Sequence, residues 1–201
     1  MGSGEPATIA KWDGKQWSVL GSATNESNGV FNFVNALVVS GGNLYAGGEF
    51  TTVGGISATN IAKWNGGSWS ALSAGLSGNI PGYAPVTALA VSGSDVYAGG
   101  SFTNAGGIAV ESIAKWNGSS WSALGSGEHP KVVYALAVSG NHLYAGGRFG
   151  TIAKWNGSTW SELGSGMEGW GVSALAVSGD DVYAGGNFTT AGGLTANSIA
   201  R

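Results

Sequence analysis

The chain has 201 residues, a net charge of −3 and no cysteine, so disulfides, thiol nucleophiles and cysteine-bound zinc are excluded. It holds no basic run that would favour a nucleic-acid partner, and no apolar run approaches the length needed for insertion into a membrane. Glycine is frequent, at 38 residues, but nine tryptophans, six tyrosines and six phenylalanines recur in register, which indicates a packed fold rather than low complexity.

The chain begins with a predicted tail and a hairpin. Residues 1–7 are expected to be the tail, since Met-Gly-Ser-Gly resembles a remnant of expression, and residues 8–201 are expected to form one domain. The hairpin covers residues 9–20. In it, Ile-Ala-Lys-Trp precedes a turn at Asp13-Gly14, and a second tryptophan, Trp17, follows the turn.

Three longer units follow, and the one at 86–124 shows their plan. Runs of β-branched and aromatic residues at 86–91 and 96–102 predict two strands, A and B, joined by a tight turn. A third run, C, ends at Trp116, and the hairpin signal Asn-Gly leads to a fourth run, D, around Trp121. Strand periodicity places both tryptophans on one face of the C–D hairpin, where a neighbouring unit must cover them.

The units are copies of one another. Ile-Ala-Lys-Trp begins at residues 9, 61, 113 and 152, and Tyr-Ala-Gly-Gly begins at 45, 97, 144 and 183. A repeat of about 40–50 residues with four strands is typical of a propeller blade. We therefore predict an all-β fold, a β-propeller of four four-stranded antiparallel blades.

The order of the strands predicts how the ring closes. The chain opens on a C–D hairpin and ends on an A–B hairpin followed by a stub of C at 197–201. The stub ends before its tryptophan, whereas the N-terminal hairpin brings two. The last blade is therefore predicted to be closed by the N-terminal C–D hairpin, which would cover two exposed sheet edges.

A strand ending in Tyr-Ala-Gly-Gly, followed by Ile-Ala-Lys-Trp, Asn-Gly and another tryptophan, resembles the kelch and galactose-oxidase class of propellers. It is closer to the repeats of the Rax2-like cortical-marker family and related bacterial surface proteins. The resemblance covers residues 8–201 and implies the propeller fold and an extracellular or cell-surface location, although no signal peptide is visible. It implies no cofactor, because a galactose-oxidase-like copper site is excluded by the missing cysteine and the separated histidines.

One face of the predicted propeller is uniform and the other is variable. The A–B and C–D turns are short and alike, whereas the B–C and D–A joints differ in length and sequence. Variable loops on a rigid scaffold are the usual place for binding. The third blade nearly lacks its B–C joint, because only three residues separate Arg148 from Ile152, and this predicts a notch beside Arg148.

Candidate ligand-binding residues are taken from the variable face. The residue after each double glycine varies within a constant framework, as a binding position or a drifting one would. Trp170 lies outside the repeat and could either stack on a sugar or plug the base of its loop, which is the favoured interpretation. His129 is expected to be a solvated loop residue with a lesser prospect of ligand contact. The candidates are Glu49, Tyr83, His129, Arg148, Trp170 and Asn187.

No catalytic or metal-binding residue is predicted. Asp180-Asp181 occupies an A–B turn, where aspartate forms local hydrogen bonds. The glycines of 164–169 match G-x-G-x-x-G but lead into a strand, so the phosphate-binding argument fails. The glutamates are scattered over several blades, which disfavours a hydrolase.

These observations favour a non-catalytic binding or scaffold propeller that presents variable loops to a protein or carbohydrate ligand at a cell surface. Two alternatives stay open. The split last blade could be completed by a neighbouring chain, so that the protein is either a monomer or a strand-exchanged homo-oligomer, as a closed dimer or a polymer. The chain could also be an engineered or excised piece of a longer array.

Overall fold

The computed structural model describes residues 5–25, 32–83, 85–125, 129–148, 150 and 152–201. None of these residues belongs to a helix, so the described chain has no helical segment that could cross a membrane. The strands are, in chain order, β1 (Ala7–Trp12), β2 (Trp17–Thr24), β3 (Phe33–Ser40), β4 (Asn43–Glu49), β5 (Thr52–Val53), β6 (Ile56–Ser57), β7 (Ile61–Trp64), β8 (Trp69–Ala71), β9 (Leu76–Ser77), β10 (Val86–Ser92), β11 (Asp95–Gly100), β12 (Asn104–Ala105), β13 (Ile108–Ala109), β14 (Ile113–Trp116), β15 (Trp121–Ala123), β16 (Val133–Ser139), β17 (His142–Gly147), β18 (Ile152–Trp155), β19 (Trp160–Glu162), β20 (Met167–Ser178), β21 (Asp181–Ala191), β22 (Leu194–Thr195) and β23 (Ile199–Ala200).

Three complete blades share one topology and one register. Each is an antiparallel sheet in the order A–B–C–D: β3-β4-β7-β8, then β10-β11-β14-β15, then β16-β17-β18-β19. In the second blade, Tyr97 pairs with Lys115, and Trp116 pairs with Trp121 across the C–D turn. These two indoles lie 5.4 Å apart between ring centroids, so the prediction that they share one face is confirmed.

Each A strand carries a β-bulge, and in the first two blades the bulged residue bonds to the next blade. The register shifts at the same place in all four A strands. In the first blade the Asn35 side chain donates to the Val86 carbonyl at 2.8 Å. In the second, the Thr87 hydroxyl donates to the Val133 carbonyl. The extra residue of a bulge re-aims its side chain, and here it bridges neighbouring blades.

Buried indoles hold each complete blade on the unit before it. The second tryptophan of each C–D hairpin donates its Nε1–H to a leucine carbonyl that follows the preceding D tryptophan. The pairs are Trp69 with Leu20 at 2.8 Å, Trp121 with Leu72 at 3.1 Å and Trp160 with Leu124 at 2.8 Å. Because these groups are removed from water, breaking one such bond would leave a buried polar atom unpaired.

The first two B–C joints fold over these indoles as small hairpins. Strand β5 pairs with β2, and β12 pairs with β9. The turns contain Gly54 and Gly106, at φ +56° and +59°. A Cβ at either position would lie 2.5 or 2.6 Å from Cδ1 of Trp69 or Trp121, so only glycine fits between the turn and the ring.

The predicted closure of the last blade is not what the structure shows. Strand β21 pairs with the C-terminal stub β23, through Ala184 with Ala200 and Gly185 with Ile199. The N-terminal hairpin of β1 and β2 lies instead against the first blade, where β2 pairs with β5. The end of β2 is anchored by the Trp69 indole and by β5, while the stub occupies the edge of β21.

Strand β1 begins at Ala7, the last residue of the predicted tail, and residues 1–4 lie outside the described part of the chain.

Candidate functional site

The variable end of the third blade brings together residues that break the repeat. Arg148 follows the double glycine of β17, and its backbone forms an isolated bridge with Gly171 of the last blade. Its N–H donates to the Val132 carbonyl at 3.0 Å, which fixes the residue at the junction of two blades. The Arg148 guanidinium carbon lies 5.2 Å from the centre of the Tyr83 ring. This is cation–π geometry, so two predicted site residues meet.

Tyr83 reaches this position through a tight turn at 80–83. The Tyr83 N–H donates to the Ile80 carbonyl at 3.1 Å, and the central residues are Pro81 and Gly82 at φ +84°. Proline followed by a glycine of positive φ is typical of a type II turn. The Ser101 hydroxyl donates to the Tyr83 carbonyl at 3.3 Å and ties the turn to the second blade.

Tyr134 joins the same group from the bulge position of strand β16. Its ring carbon Cε2 lies 3.2 Å from the place where a Cβ on Gly171 would stand. Burial raises the pKa of the Tyr134 phenol; nearby Tyr83 adds to the rise, and Arg148 opposes it. The phenol is therefore protonated at neutral pH and acts as a hydrogen-bond donor.

Trp170 directly precedes Gly171, the residue that Arg148 bridges, and its ring is exposed. It is the extra residue between Gly169 and Gly171 in a β-bulge of β20, and 70% of it is exposed. The favoured prediction, that Trp170 plugs its loop, is therefore wrong. The flanking glycines have φ +153° and +157°, and a Cβ at Gly169 would lie 2.3 Å from the Asn187 carbonyl. The backbone of β21 therefore packs closely against Gly169, next to the exposed indole.

We call Tyr83, Tyr134, Arg148 and Trp170 the Arg148 cluster. Three of its members were predicted site residues. Tyr134 was missed, although it occupies the bulge position that differs in every blade, which was the available signal. Asn187 pairs through its backbone with Gly171 and is exposed.

Glu49 occupies the corresponding slot of the first blade, opposite Phe33. Burial raises the pKa of its carboxyl group. It is therefore a half-buried acid on another blade rather than a member of the cluster.

His129 is packed rather than solvated, contrary to the prediction. It is buried, and its ring centroid lies 5.4 Å from that of Trp160. In the first two blades a glycine turn covers the equivalent indole, and the third blade lacks that turn. His129 covers Trp160 in its place, with Nε2 3.8 Å from a Glu111 carboxylate oxygen.

The shortened third blade leaves a cavity of about 370 Å³. Its lining includes Val110, Glu111, His129 and Trp160, so it opens between the second and third blades. This cavity lies beside His129, and the notch predicted beside Arg148 remains a prediction. Phe149 and Thr151, the other residues of the shortened joint, lie outside the described part of the chain.

The side chains of the cluster are of types that are common at binding surfaces. It offers one cation, two phenols and one exposed indole. Among the residues described, no group of three or more histidine, aspartate or glutamate side chains could hold a metal ion. Arginine, tyrosine and tryptophan are the residues that most often dominate binding energy at interfaces.

No protein-family model and no curated protein sequence matches the chain. Solved structures do match. These structures are propellers, and their blades correspond to the four-stranded sheets described above. The chain is a β-propeller. It is similar to the computationally designed Ika4 protein, with 22% identity, a TM-score of 0.54, and 81% of this chain and 89% of that chain covered.

Two further structures are similar. The computationally designed Ika8 protein shares 20% identity at a TM-score of 0.53 over 89% of this propeller and 62% of that chain. The structure of YCF48 bound to D1 peptide shares 16% identity at a TM-score of 0.51 over 90% of this propeller and 55% of that chain. The propeller thus spans less than two thirds of Ika8 and of YCF48. At these identities the similarity concerns the fold alone.

Proposed function

We propose that this propeller is a non-catalytic binding module whose Arg148 cluster takes an acidic segment of a protein partner. The observation that carries the proposal is the position of Arg148 on the Tyr83 ring. The side chains of Tyr83 and Tyr134 lie near Arg148, Trp170 precedes the Gly171 that Arg148 bridges, and each of these residues departs from the repeat. A folding role alone would be served by the repeat residues found in the other blades.

The chemistry of the cluster supports a peptide ligand with carboxylate groups. The Arg148 guanidinium supplies positive charge in a chain whose net charge is −3. Arginine binds carboxylates through a planar set of donors, and the protonated Tyr134 phenol adds another donor. YCF48, a protein of similar fold, binds the D1 peptide in its solved structure, which makes a peptide ligand a reasonable expectation for this scaffold.

A carbohydrate ligand is the second candidate, and the exposed indole of Trp170 favours it. An aromatic face can stack on a sugar ring, and 70% exposure leaves that face accessible. The resemblance to Rax2-like and bacterial surface repeats supports a place for either ligand at a cell surface. Binding without catalysis is proposed because the cluster lacks a general base: the raised pKa of Tyr134 keeps its phenol protonated.

The test is a selection of binding peptides from a random displayed library, followed by titration of one acidic peptide against variants. Arg148→Ala should weaken binding by about 30-fold, the scale of a hot-spot residue. Arg148→Lys should recover only part of it, because lysine lacks the planar donor set. His142→Ala, in an A–B turn on the opposite face, is the matched control and should have no effect.

Two results would contradict the proposal. One is a peptide whose affinity is unchanged by Arg148→Ala. The other is a glycan array in which sugars bind, Trp170→Ala abolishes that binding, and no peptide is selected; this result would establish the carbohydrate alternative.

A further inference from the structure

In the described chain, the last blade has a short C strand and no D strand. Strand β23 pairs with β21 at two residue pairs, whereas the C strands of the complete blades pair at four. No strand occupies the D position of this blade in the described chain. Ile199 of the stub is 74% exposed, while its counterpart Ile113 is 2% exposed. An apolar sheet edge is thus left open.

A cavity of about 290 Å³ lies at this edge, at the position that an indole fills in the earlier blades. Its lining includes Leu163, Gly166, Gly192 and Leu194. The Gly192 N–H donates to the Gly166 carbonyl at 2.9 Å, as the Gly106 N–H does to Gly75 at 2.8 Å in the second blade.

The contrast with the second blade shows what the cavity would hold. Trp121 lies between the Leu72 carbonyl and Gly106. Leu163 and Gly192 are their counterparts in the last blade. A Cβ on Gly192, at φ +58°, would meet no atom within 4 Å. The cavity therefore has the walls of a tryptophan site, including the carbonyl that would accept the indole N–H.

The same chain carries an unpaired C–D hairpin. In β1 and β2, Ile-Ala-Lys-Trp and Trp17 repeat the sequence found in the complete blades, yet no B strand pairs with β1 among the described residues. Trp17 is 69% exposed, compared with 8% for Trp121. The hairpin thus exposes the indole for which the last blade has a site.

We propose that the N-terminal hairpin of one copy completes the last blade of a second copy. The register follows from the second blade, where Tyr97 pairs with Lys115 and Ala98 with Ala114. By this rule Lys11 lies opposite Tyr183 of the second copy, the stub is displaced, and Trp17 enters the cavity and donates to the Leu163 carbonyl.

Charge and apolar surface agree with this pairing. Lys115 lies 3.1 Å from Asp95 in the second blade, and the corresponding pair between copies is Lys11 with Asp181. Asp181 now binds Arg201 of the stub at 2.9 Å, so one cation replaces another. In the second blade, Val91 packs in one cluster with Tyr45 of the first blade. Val39 of β3 is the counterpart of Val91 in the first blade, and it is exposed. Tyr183 would cover Val39 in the same way.

A second copy is favoured over closure within one chain. The hairpin is fastened to its own first blade by the Trp69–Leu20 bond and the β2–β5 ladder, in a different sheet from β21. Exchange between two copies keeps both attachments and every blade-to-blade contact. Reciprocal exchange gives a ring of eight blades, which lies within the range of known propellers.

The first measurement is the mass of the full chain by light scattering. Exchange predicts a mass of twice 20.0 kDa, or a higher multiple, and a value of 20.0 kDa would overturn the proposal. Trp17→Ala should return the protein to a single chain. Trp170→Ala, which removes an equally exposed indole outside the repeat, is the matched control and should leave the mass of the assembly unchanged. If both variants gave the mass of a single chain, that result would also count against the proposal.

Cross-linking identifies the partner strand even where a variant alters folding. The chain has no cysteine, so Lys11→Cys and Tyr183→Cys can be made in separate copies, mixed, and treated with a short bismaleimide. Exchange predicts a covalent dimer from the mixture. Tyr97→Cys in place of Tyr183→Cys is the control, since its partner position is already filled by Lys115. Cross-linking that occurs only within a chain carrying both cysteines would refute exchange, and neither result depends on the Arg148 cluster.

Discussion

Replacing Gly106 by alanine tests whether the glycine turns of the B–C joints exist to admit the tryptophan of the same blade. Gly106 has φ +59°, and a Cβ there would lie 2.6 Å from Cδ1 of Trp121. The ring cannot retreat freely, because Trp121 is buried and its N–H is bonded to the Leu72 carbonyl at 3.1 Å. The substitution must therefore strain the turn, displace the ring or break that bond.

The cost has two parts. An alanine in the left-handed region costs about 1–2 kcal/mol, and forcing an extra methyl group into a packed site costs about 1–3 kcal/mol. Gly106→Ala should therefore lower the free energy of unfolding by about 2–5 kcal/mol. Gly93→Ala is the matched control, because Gly93 also has φ +59° but its Cβ would meet nothing within 4 Å. It should show only the backbone part.

Urea unfolding followed by tryptophan fluorescence measures both variants against the parent protein, with the thermal midpoint as a second readout. The two variants should differ by about 1–3 kcal/mol, the contribution of the clash. Equal destabilisation by Gly106→Ala and Gly93→Ala would refute the reasoning, since the Trp121 contact would then contribute nothing.

Three further substitutions have defined expectations. Burial raises the pKa of Glu49 above its ordinary 4.5, so stability is lost as pH rises through the folded pKa; Glu49→Gln should raise the melting temperature near neutral pH and leave it unchanged well below pH 4.5. Asn60, at φ +62°, donates to the Leu76 carbonyl at 2.7 Å, so Asn60→Ala should cost about 2–4 kcal/mol in urea unfolding, and an unchanged midpoint would contradict this. His129→Ala should uncover Trp160, cost about 2 kcal/mol and increase quenching of its fluorescence by iodide.

The repeat framework could be predicted from the sequence because every copy obeys the same local rules. Runs of β-branched and aromatic residues bounded by turn residues predicted the strands, and the tryptophans on either side of the Asn-Gly turns predicted the C–D hairpins. Trp116 and Trp121 were expected on one face, and the structure places them in contact. These features depend on residues close in sequence, so one copy is enough to infer them.

The edge of the last blade could not be predicted in the same way. Two segments of similar sequence, residues 9–12 and 199–201, compete for one position beside β21. Which of them pairs depends on the angle between successive blades and on the attachment of β2 to the first blade. Both depend on how the folded blades pack together, and neither can be predicted from the sequence of either segment.

The misjudged site residues have a related cause. The B–C joint of the third blade is too short to form the glycine turn that covers the indole in the first two blades, and His129 covers Trp160 instead. The burial of His129 thus follows from a shortened joint some twenty residues away. Trp170 is the extra residue of a β-bulge opposite β21, and its ring is exposed. In both cases the environment of the side chain depends on residues distant in sequence, which the composition of the loop itself does not indicate.

The proposed assembly and the proposed recognition would use separate sets of residues in this propeller. The contacts that join blades use repeat positions, such as the D-strand indole with the preceding leucine carbonyl. The Arg148 cluster uses only positions where the repeat is broken. Because the complete blades share one joining surface, the proposal pairs the open edge of β21 with the N-terminal hairpin of another copy. Substitutions at Trp17 should therefore change the mass of the assembly without changing the affinity of the Arg148 cluster, and substitutions at Arg148 should do the reverse.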